Sequence, residues 1–316
     1  MRVLVLGAGG YVGRAVVKAL SATDWAVPVA GLRRATGKSD VETLVVDGTD
    51  EAALEKVLTG VDAVVNCVVG GPETIVKNAE ALFAAAKKNG THVVYLSSMA
   101  VYGSAVGPVT EDAPLLGDVG GYSEAKVQAE KLAAGSNASI LRCGCIYGGG
   151  SPQWTTRIAK LLQEHRVGDL GAAGDGYTNL VHIQDVVAVI LAVLKQGRTG
   201  VKAYNVAMPD APTWNTYFIR FAKALGAVPV SRITARQLKL ETKLLVVPLK
   251  LMEKAGSSML PPAITPPMLR LWGQDIRLIS ALASTELTIS WTSLEDGISE
   301  ATAGLSSPRS RSRAVR

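Results

Sequence analysis

A short apolar run, Met1-Arg2-Val3-Leu4-Val5-Leu6, ends in Gly7-Ala8-Gly9-Gly10-Tyr11-Val12-Gly13, and the spacing of Gly7, Gly10 and Gly13 leaves the chain few folds to choose from. A strand that turns at once into a helix needs one glycine for the tight turn. A loop whose backbone N–H groups face an anion needs a second, and a helix lying close on a sheet needs a third. With a strand before it and a helix after it, the loop predicts a dinucleotide-binding βαβ unit rather than an isolated turn.

The pattern that follows agrees. Periodicity predicts strands over 2–6, 27–31, 42–46, 62–67, 92–96 and 138–142. Helices are predicted over 11–21, 50–58 and about 73–88, with another starting near Gly121. Such alternation demands crossover connections, so the expected fold is α/β: a Rossmann-type doubly wound parallel sheet forming a dinucleotide-binding domain over 1–148. Beyond it lie helices over 184–196 and 213–225, a strand over 203–207 and many prolines. A smaller C-terminal substrate-binding cap is expected mainly over 149–304, with segments such as 178–207 returning to the first domain. A disordered basic tail is expected over 305–316.

Of the 316 residues, 48% are apolar but only 5% aromatic, which suits strands buried between two helical layers. Part of the net charge of +6 comes from Arg309, Arg311, Arg313 and Arg316 in the tail, so no nucleic-acid partner is expected. Three cysteines are too few for a disulfide framework. Cys143 and Cys145, two apart in an apparent strand, are expected on one face, and His92, His165 and His182 are scattered. Reduced thiols in the cytoplasm and no metal site are the expectation. The start lacks the marks of a signal peptide. No run approaches the ~20 apolar residues needed to span a membrane, since Pro248 and Lys250 break the stretch from Leu244 to Met252, so no stable membrane insertion is expected.

The second strand ends in Val29-Ala30-Gly31-Leu32-Arg33-Arg34, without the carboxylate that would hold a free ribose diol. Paired guanidiniums there suit a 2'-phosphate, two solvated arginines being the plainer alternative. Asp47-Gly48 is placed either to hydrogen-bond an adenine or to make a turn or helix cap. Farther on, Leu96-Ser97-Ser98-Met99-Ala100-Val101-Tyr102-Gly103 leaves a strand, and Tyr122-Ser123-Glu124-Ala125-Lys126 opens a helix. Four residues apart on a helix, Tyr122 and Lys126 share a face, so the ammonium is expected to depress the phenol's pKa. Ser98, at the sheet edge where such folds bind ligands, can hold a substrate oxygen beside that phenol.

These residues resemble the extended short-chain dehydrogenase/reductase family, also called the NAD(P)-dependent epimerase/dehydratase family. The likeness extends through Thr110-Glu111-Asp112-Ala113-Pro114, Leu141-Arg142-Cys143-Gly144-Cys145-Ile146-Tyr147-Gly148, Val181-His182-Ile183-Gln184-Asp185-Val186, Tyr204-Asn205-Val206 and the closing segment Trp291 to Ile298. The resemblance implies Ser98, Tyr122 and Lys126 as the catalytic triad, with Lys126 also on the nicotinamide ribose. It implies cofactor contacts from Gly7, Gly10, Tyr11, Val12, Gly13, Arg33, Arg34, Asp47, Gly48, Cys67, Tyr122, Lys126 and Cys143. Two departures bear on the substrate. Met99-Ala100 stands where sugar 4,6-dehydratases keep an acidic pair, and Thr178 where nucleotide-sugar enzymes commonly keep an arginine.

The reading that follows is an NADP(H)-dependent reductase or dehydrogenase, with NAD(H) as the lesser cofactor, acting on a carbonyl or hydroxyl group of a small, largely apolar substrate. Leu244-Leu245-Val246-Val247-Pro248-Leu249 and Met259-Leu260-Pro261-Pro262 offer apolar wall, or else close the cap's own core or a homodimer contact. Arg157 and Arg166 are alternative cations for a diphosphate. Two other functions fit the same residues: a nucleotide-sugar epimerase with a tightly held cofactor, and a non-catalytic NADP(H) sensor.

Overall fold

The computed structural model describes residues 1–34, 40–197, 199–247, 249 and 262–306. In chain order the elements that matter are β1 (Arg2–Leu6), α1 (Tyr11–Ser21), β2 (Val27–Leu32), β3 (Glu42–Val45), α2 (Glu51–Leu58), β4 (Ala63–Asn66), α3 (Pro72–Asn89) and β5 (His92–Ser98). They continue with β6 (Gly107–Val109), α4 (Gly121–Leu132), β7 (Ala138–Cys143), β8 (Cys145–Tyr147), α5 (Arg157–Gln163), β9 (Leu180–His182), α6 (Ile183–Gln196), β10 (Val201–Val206) and α7 (Trp214–Leu225).

Seven strands form one sheet in the order β10-β7-β5-β4-β1-β2-β3, every neighbouring pair parallel. Chain direction across the sheet reverses between β1 and β4. The loops leaving those two strands therefore diverge, which opens the crevice in which this class of sheet binds ligands. Val3, Leu4, Val5 and Leu6 are all buried, as a strand covered on both faces requires. Helix α3 turns Ile75, Ala79, Leu82 and Ala86 inward, and it begins at Pro72 and ends at the left-handed Gly90. Asp50 caps α2 by accepting from Ala53 N.

The chain divides into two compact units. The first comprises Met1–Cys145, Asn179–Ala211 and Asp275–Trp291, the second Ile146–Thr178, Pro212–Gln274 and Thr292–Arg316. The segment Asp275–Trp291, inside the range expected mainly to form the cap, lies in the first unit. Its strand Ile276–Leu278 pairs with β6, and Asn179 bridges it by donating to Ile276 O and accepting from Leu278 N, each at 2.8 Å. The second unit has its own aromatic core, in which Trp214 lies 5.2 Å from Trp154, 5.6 Å from Phe218 and 6.3 Å from Trp272 between ring centroids. The tail from 307 onward and Met259-Leu260-Pro261 lie outside the described residues, as does Pro248.

Cys143 and Cys145 do not share one strand, contrary to the expectation. Gly144 ends β7 because the backbone of Asn179 crosses there: a Cβ on Gly144 would stand 1.8 Å from Asn179 O, which accepts instead from Cys145 N at 2.9 Å. Among the described residues no helix is long and apolar enough to cross a membrane.

Candidate active site

The crevice begins at the glycine loop. Gly7 has φ +73°, and a Cβ there would lie 2.8 Å from Cys67 O. At Gly13 a Cβ would lie 2.3 Å from Gly7 O, so the first turn of α1 rests directly on the loop. Gly10 N donates to Gly7 O at 2.9 Å, and Gly10 caps α1 with no acidic side chain in the helix's first turn. The exposed helix end can therefore meet an anion with backbone N–H groups and the positive end of its dipole.

A cavity of about 480 Å³ opens in front of this loop, lined among others by Gly7, Gly9, Gly10, Arg33, Asp47, Gly48, Thr49, Cys67 and Thr74. Of the cofactor residues expected from sequence, Tyr11, Val12, Gly13, Arg34, Tyr122, Lys126 and Cys143 are not in its lining. Gly13 acts from beneath. Asp47 is partly committed elsewhere: its Oδ1 accepts from Thr49 N at 2.9 Å and Thr49 Oγ1 at 2.8 Å. These bonds, chiefly the backbone one, hold its carboxyl below the usual range, and nearby Arg33 helps. Sequence reasoning missed the support behind it. Asn66 Nδ2 donates to Asn78 Oδ1 at 2.7 Å and Asn78 Nδ2 to Gly48 O at 2.6 Å, a buried relay fixing the Asp47-Gly48 turn to the end of β4. Asn66, a polar residue in the apolar run from Ala63 to Val69, was its sequence signal.

The second cluster sits at the ends of β5 and β7. Ser98 is the last residue of β5, and its Oγ accepts from Ala100 N at 3.2 Å, capping the single 3₁₀ turn Met99–Tyr102. Ser123, the neighbour of Tyr122, donates to Ala100 O from α4, so the same turn locks the serine strand to the tyrosine helix. The hydroxyls of Ser98 and Tyr122 are hydrogen-bonded. Lys126 is buried, and its Nζ donates to Leu96 O at 2.8 Å, 5.0 Å from the Tyr95 ring centre and 6.0 Å from that of Tyr122. Ser98, Tyr122 and Lys126 are thus brought together.

Their electrostatics differ from the sequence expectation. Tyr122 is 47% exposed as a whole residue, the hydroxyl end being the part enclosed by protein. Desolvation there raises the phenol's pKa; the Ser98 bond opposes the rise, and the Cys143 and Cys145 thiols add slightly to it. Lys126 does not depress it, because its ammonium is turned to the β5 backbone and is itself desolvated: burial pulls the Lys126 pKa down to about 8. Burial likewise pushes the Cys67 and Cys143 thiols up to about 12 and raises Cys145, so all three stay protonated and unreactive near neutrality.

Behind this cluster lies a buried polar network. Arg142 donates to both oxygens of Glu130, with Nε–Oε1 at 3.2 Å and Nη2–Oε2 at 2.9 Å, and to Tyr102 Oη at 2.9 Å. Tyr102 donates to Asn205 Oδ1 at 2.6 Å, and Asn205 N donates to Glu111 Oε1 at 2.8 Å. Each member stood in, or four residues beyond, a motif noted in the sequence, but their mutual contacts were not legible there. In the second unit, Thr178 is fully buried. Arg166, offered as a substitute cation, is engaged by both oxygens of Glu241 and by Pro262 O, and Arg157 donates to Ala263 O.

The family model described as the NAD dependent epimerase/dehydratase family matches residues 3–207. Among curated relatives, a 3-diazoavenalumate denitrifying reductase from Streptomyces sp is 28% identical over 263 residues, which cover 74% of this chain and 85% of that one. The solved dTDP-glucose 4,6-dehydratase DesIV of Streptomyces venezuelae, a double mutant with NAD bound, superposes with a TM-score of 0.74 at 21% identity and covers 98% of each chain. The UDP-N-acetylglucosamine 4-epimerase of Bacillus cereus has a TM-score of 0.73 at 18% identity, over 97% of this chain and 100% of that one. At such identities the structural likeness is one of fold.

Proposed function

The chain belongs to the NAD dependent epimerase/dehydratase family, and from that premise we propose that it is an NADP(H)-dependent oxidoreductase acting on a carbonyl or hydroxyl group of a small, largely apolar substrate. The observation that carries the reading is the meeting of Ser98, Tyr122 and Lys126 at the edge of the parallel sheet, on elements adjoining a glycine-walled crevice. The glycine loop and α1 would hold the cofactor's pyrophosphate and Arg33 its 2'-phosphate, with no carboxylate at the end of β2 to favour a free diol. When bound, the nicotinamide supplies or accepts a hydride. The protein's own part is proton transfer: Tyr122 gives its phenolic proton to the substrate oxygen in reduction and removes it in oxidation, while Ser98 holds that oxygen in line. A phenol with a raised pKa is kept protonated, which suits it as the acid of a reductase. Lys126 supplies positive charge beneath the site and is expected on the nicotinamide ribose.

A nucleotide-sugar epimerase is the second reading, supported by the matching family model, which describes NAD dependent epimerases and dehydratases. Against it stand Thr178, where an arginine would grip the diphosphate, and the engagement of Arg166 with Glu241. Two measurements separate the readings. NADPH oxidation is screened against ketones, aldehydes and enones, and the NADP-loaded protein is titrated calorimetrically with UDP-, GDP- and dTDP-sugars. Turnover of apolar carbonyl compounds with no sugar binding supports the reductase; micromolar binding of any nucleotide sugar defeats the apolar reading.

A further inference from the structure

We propose that Glu130 is a positioning residue that aligns Ser98 with Tyr122 and Lys126, a role that rests on reading those three as the reacting set. Glu130 lies four residues after Lys126, one turn farther along the same face of α4, and its side chain is only 6% exposed. Its Oε1 accepts from Ser97 Oγ at 2.5 Å, and Ser97 immediately precedes Ser98 on β5. Both of its oxygens accept from Arg142, which immediately precedes Cys143 on β7 and is the register partner of Ser97. One carboxylate thus ties the helix bearing Tyr122 and Lys126 to the last rungs of the two strands beside them. Through Arg142 the tie runs on to Tyr102 and the backbone of Glu111, and through Tyr102 to Asn205 on β10.

Stability alone is a weak reason to bury such a pair. Well-packed apolar residues of similar volume commonly do as well or better, because desolvating both charges offsets their attraction. What an apolar pair could not supply is a directional acceptor for Ser97 and a fixed separation between α4 and β5. Error there is costly, since a displacement of about 1 Å at a reacting group can lower a rate about a hundredfold. Glu130 also acts on Lys126 electrostatically. The ammonium faces the Tyr95 and Tyr122 rings, the Leu96 carbonyl and the Cys143 thiol, while Glu130 is the carboxylate whose field opposes the desolvation of the lysine.

The test uses the full chain with NADPH and isatin as carbonyl probe, and two variants, E130Q and the double variant E130L/R142M. Removing Glu130 alone leaves Arg142 buried without its partner and risks misfolding; the double variant removes both charges at similar volume. In both, isatin turnover is expected to fall at least ~10-fold with NADPH affinity unchanged within about threefold, since alignment and not binding is lost. Titration of Lys126, followed by NMR of lysine-labelled cofactor-free protein and assigned with Lys126→Met, is expected to move to lower pH in E130Q, where Arg142 keeps its charge, and to move less in the double variant. The alkaline limb of the turnover profile should move with it. Wild-type turnover in a folded E130L/R142M protein, or an unmoved Lys126 titration in both variants, overturns the proposal. If wild type itself fails to turn over isatin, the oxidoreductase reading fails for that carbonyl, and the NMR titration still decides the role of Glu130.

Discussion

The two ends of the crevice edge in the first unit are built by opposite means. The nucleotide end is a matter of backbone: Gly10 and Gly13 pack on the Gly7 carbonyl a few residues away, Gly7 itself lies against the Cys67 carbonyl, and Arg33 adds an exposed charge. The catalytic end is a matter of side chains, nearly all buried, whose partners are remote in sequence: Lys126 reaches Leu96, Arg142 reaches Tyr102 and Tyr102 reaches Asn205. A backbone-made site is read by shape and tolerates surface change around it. A side-chain network in a low dielectric depends on every member, because each unpaired polar group is left desolvated.

Substitutions sharpen this contrast, and the largest effect is expected at the catalytic end. Tyr122→Phe keeps the ring but removes the proton, so turnover should fall by about 10²- to 10⁴-fold, with NADPH affinity changed only a few-fold and Ser98→Ala milder. Steady-state kinetics and cofactor titration check this together; more than about a tenth of activity remaining in Tyr122→Phe would remove the proposed role.

Next comes the buried lysine. The Lys126 pKa is about 8 in the folded protein against 10.5 for an unstrained lysine. Below pH 8 it is charged in both folded and unfolded chains, and the folded state bears the cost of burying that charge; above 10.5 it is neutral in both and the cost is gone. Wild-type stability relative to Lys126→Met should therefore rise between those pH values, by on the order of 3 kcal/mol. Urea unfolding of both proteins across this window measures it, and a flat difference would mean that the ammonium is well solvated.

At the nucleotide end the expected effects are smaller and fall on different quantities. Gly13→Ala sets a Cβ against the Gly7 carbonyl, which should destabilise the fold by about 1 to 3 kcal/mol and weaken NADPH binding, as urea unfolding and fluorescence titration would report. Arg33→Ala should leave stability alone and erase a preference for NADP(H) over NAD(H) of at least ~10-fold, the worth of one charge-assisted contact. Equal affinity of the wild type for both cofactors would break this side of the comparison.

The sequence by itself determined what depends on local geometry. Strand-helix alternation and the glycine spacing dictated a parallel doubly wound sheet, since Gly7 must take a left-handed turn and Gly13 must lie under it whatever the rest of the chain does. The spacing of Tyr122 and Lys126 put both on one helix face for the same reason. Only the tertiary structure decided the quantities that depend on distant neighbours. The four-residue spacing predicts Lys126 as a charge acting on Tyr122, but the fold turns it to Leu96 and desolvates it, and burial proves larger than the pairwise attraction. Locally Cys143 and Cys145 fit one strand, but Asn179, more distant along the chain, crosses between them at Gly144. Asp275–Trp291 looked like cap because nothing local in Ile276-Arg277-Leu278 reveals that its strand partner is Gly107–Val109. Periodicity and turn chemistry are properties of a few consecutive residues, whereas desolvation, strand partnership and buried polar networks exist only once segments remote in sequence are packed together.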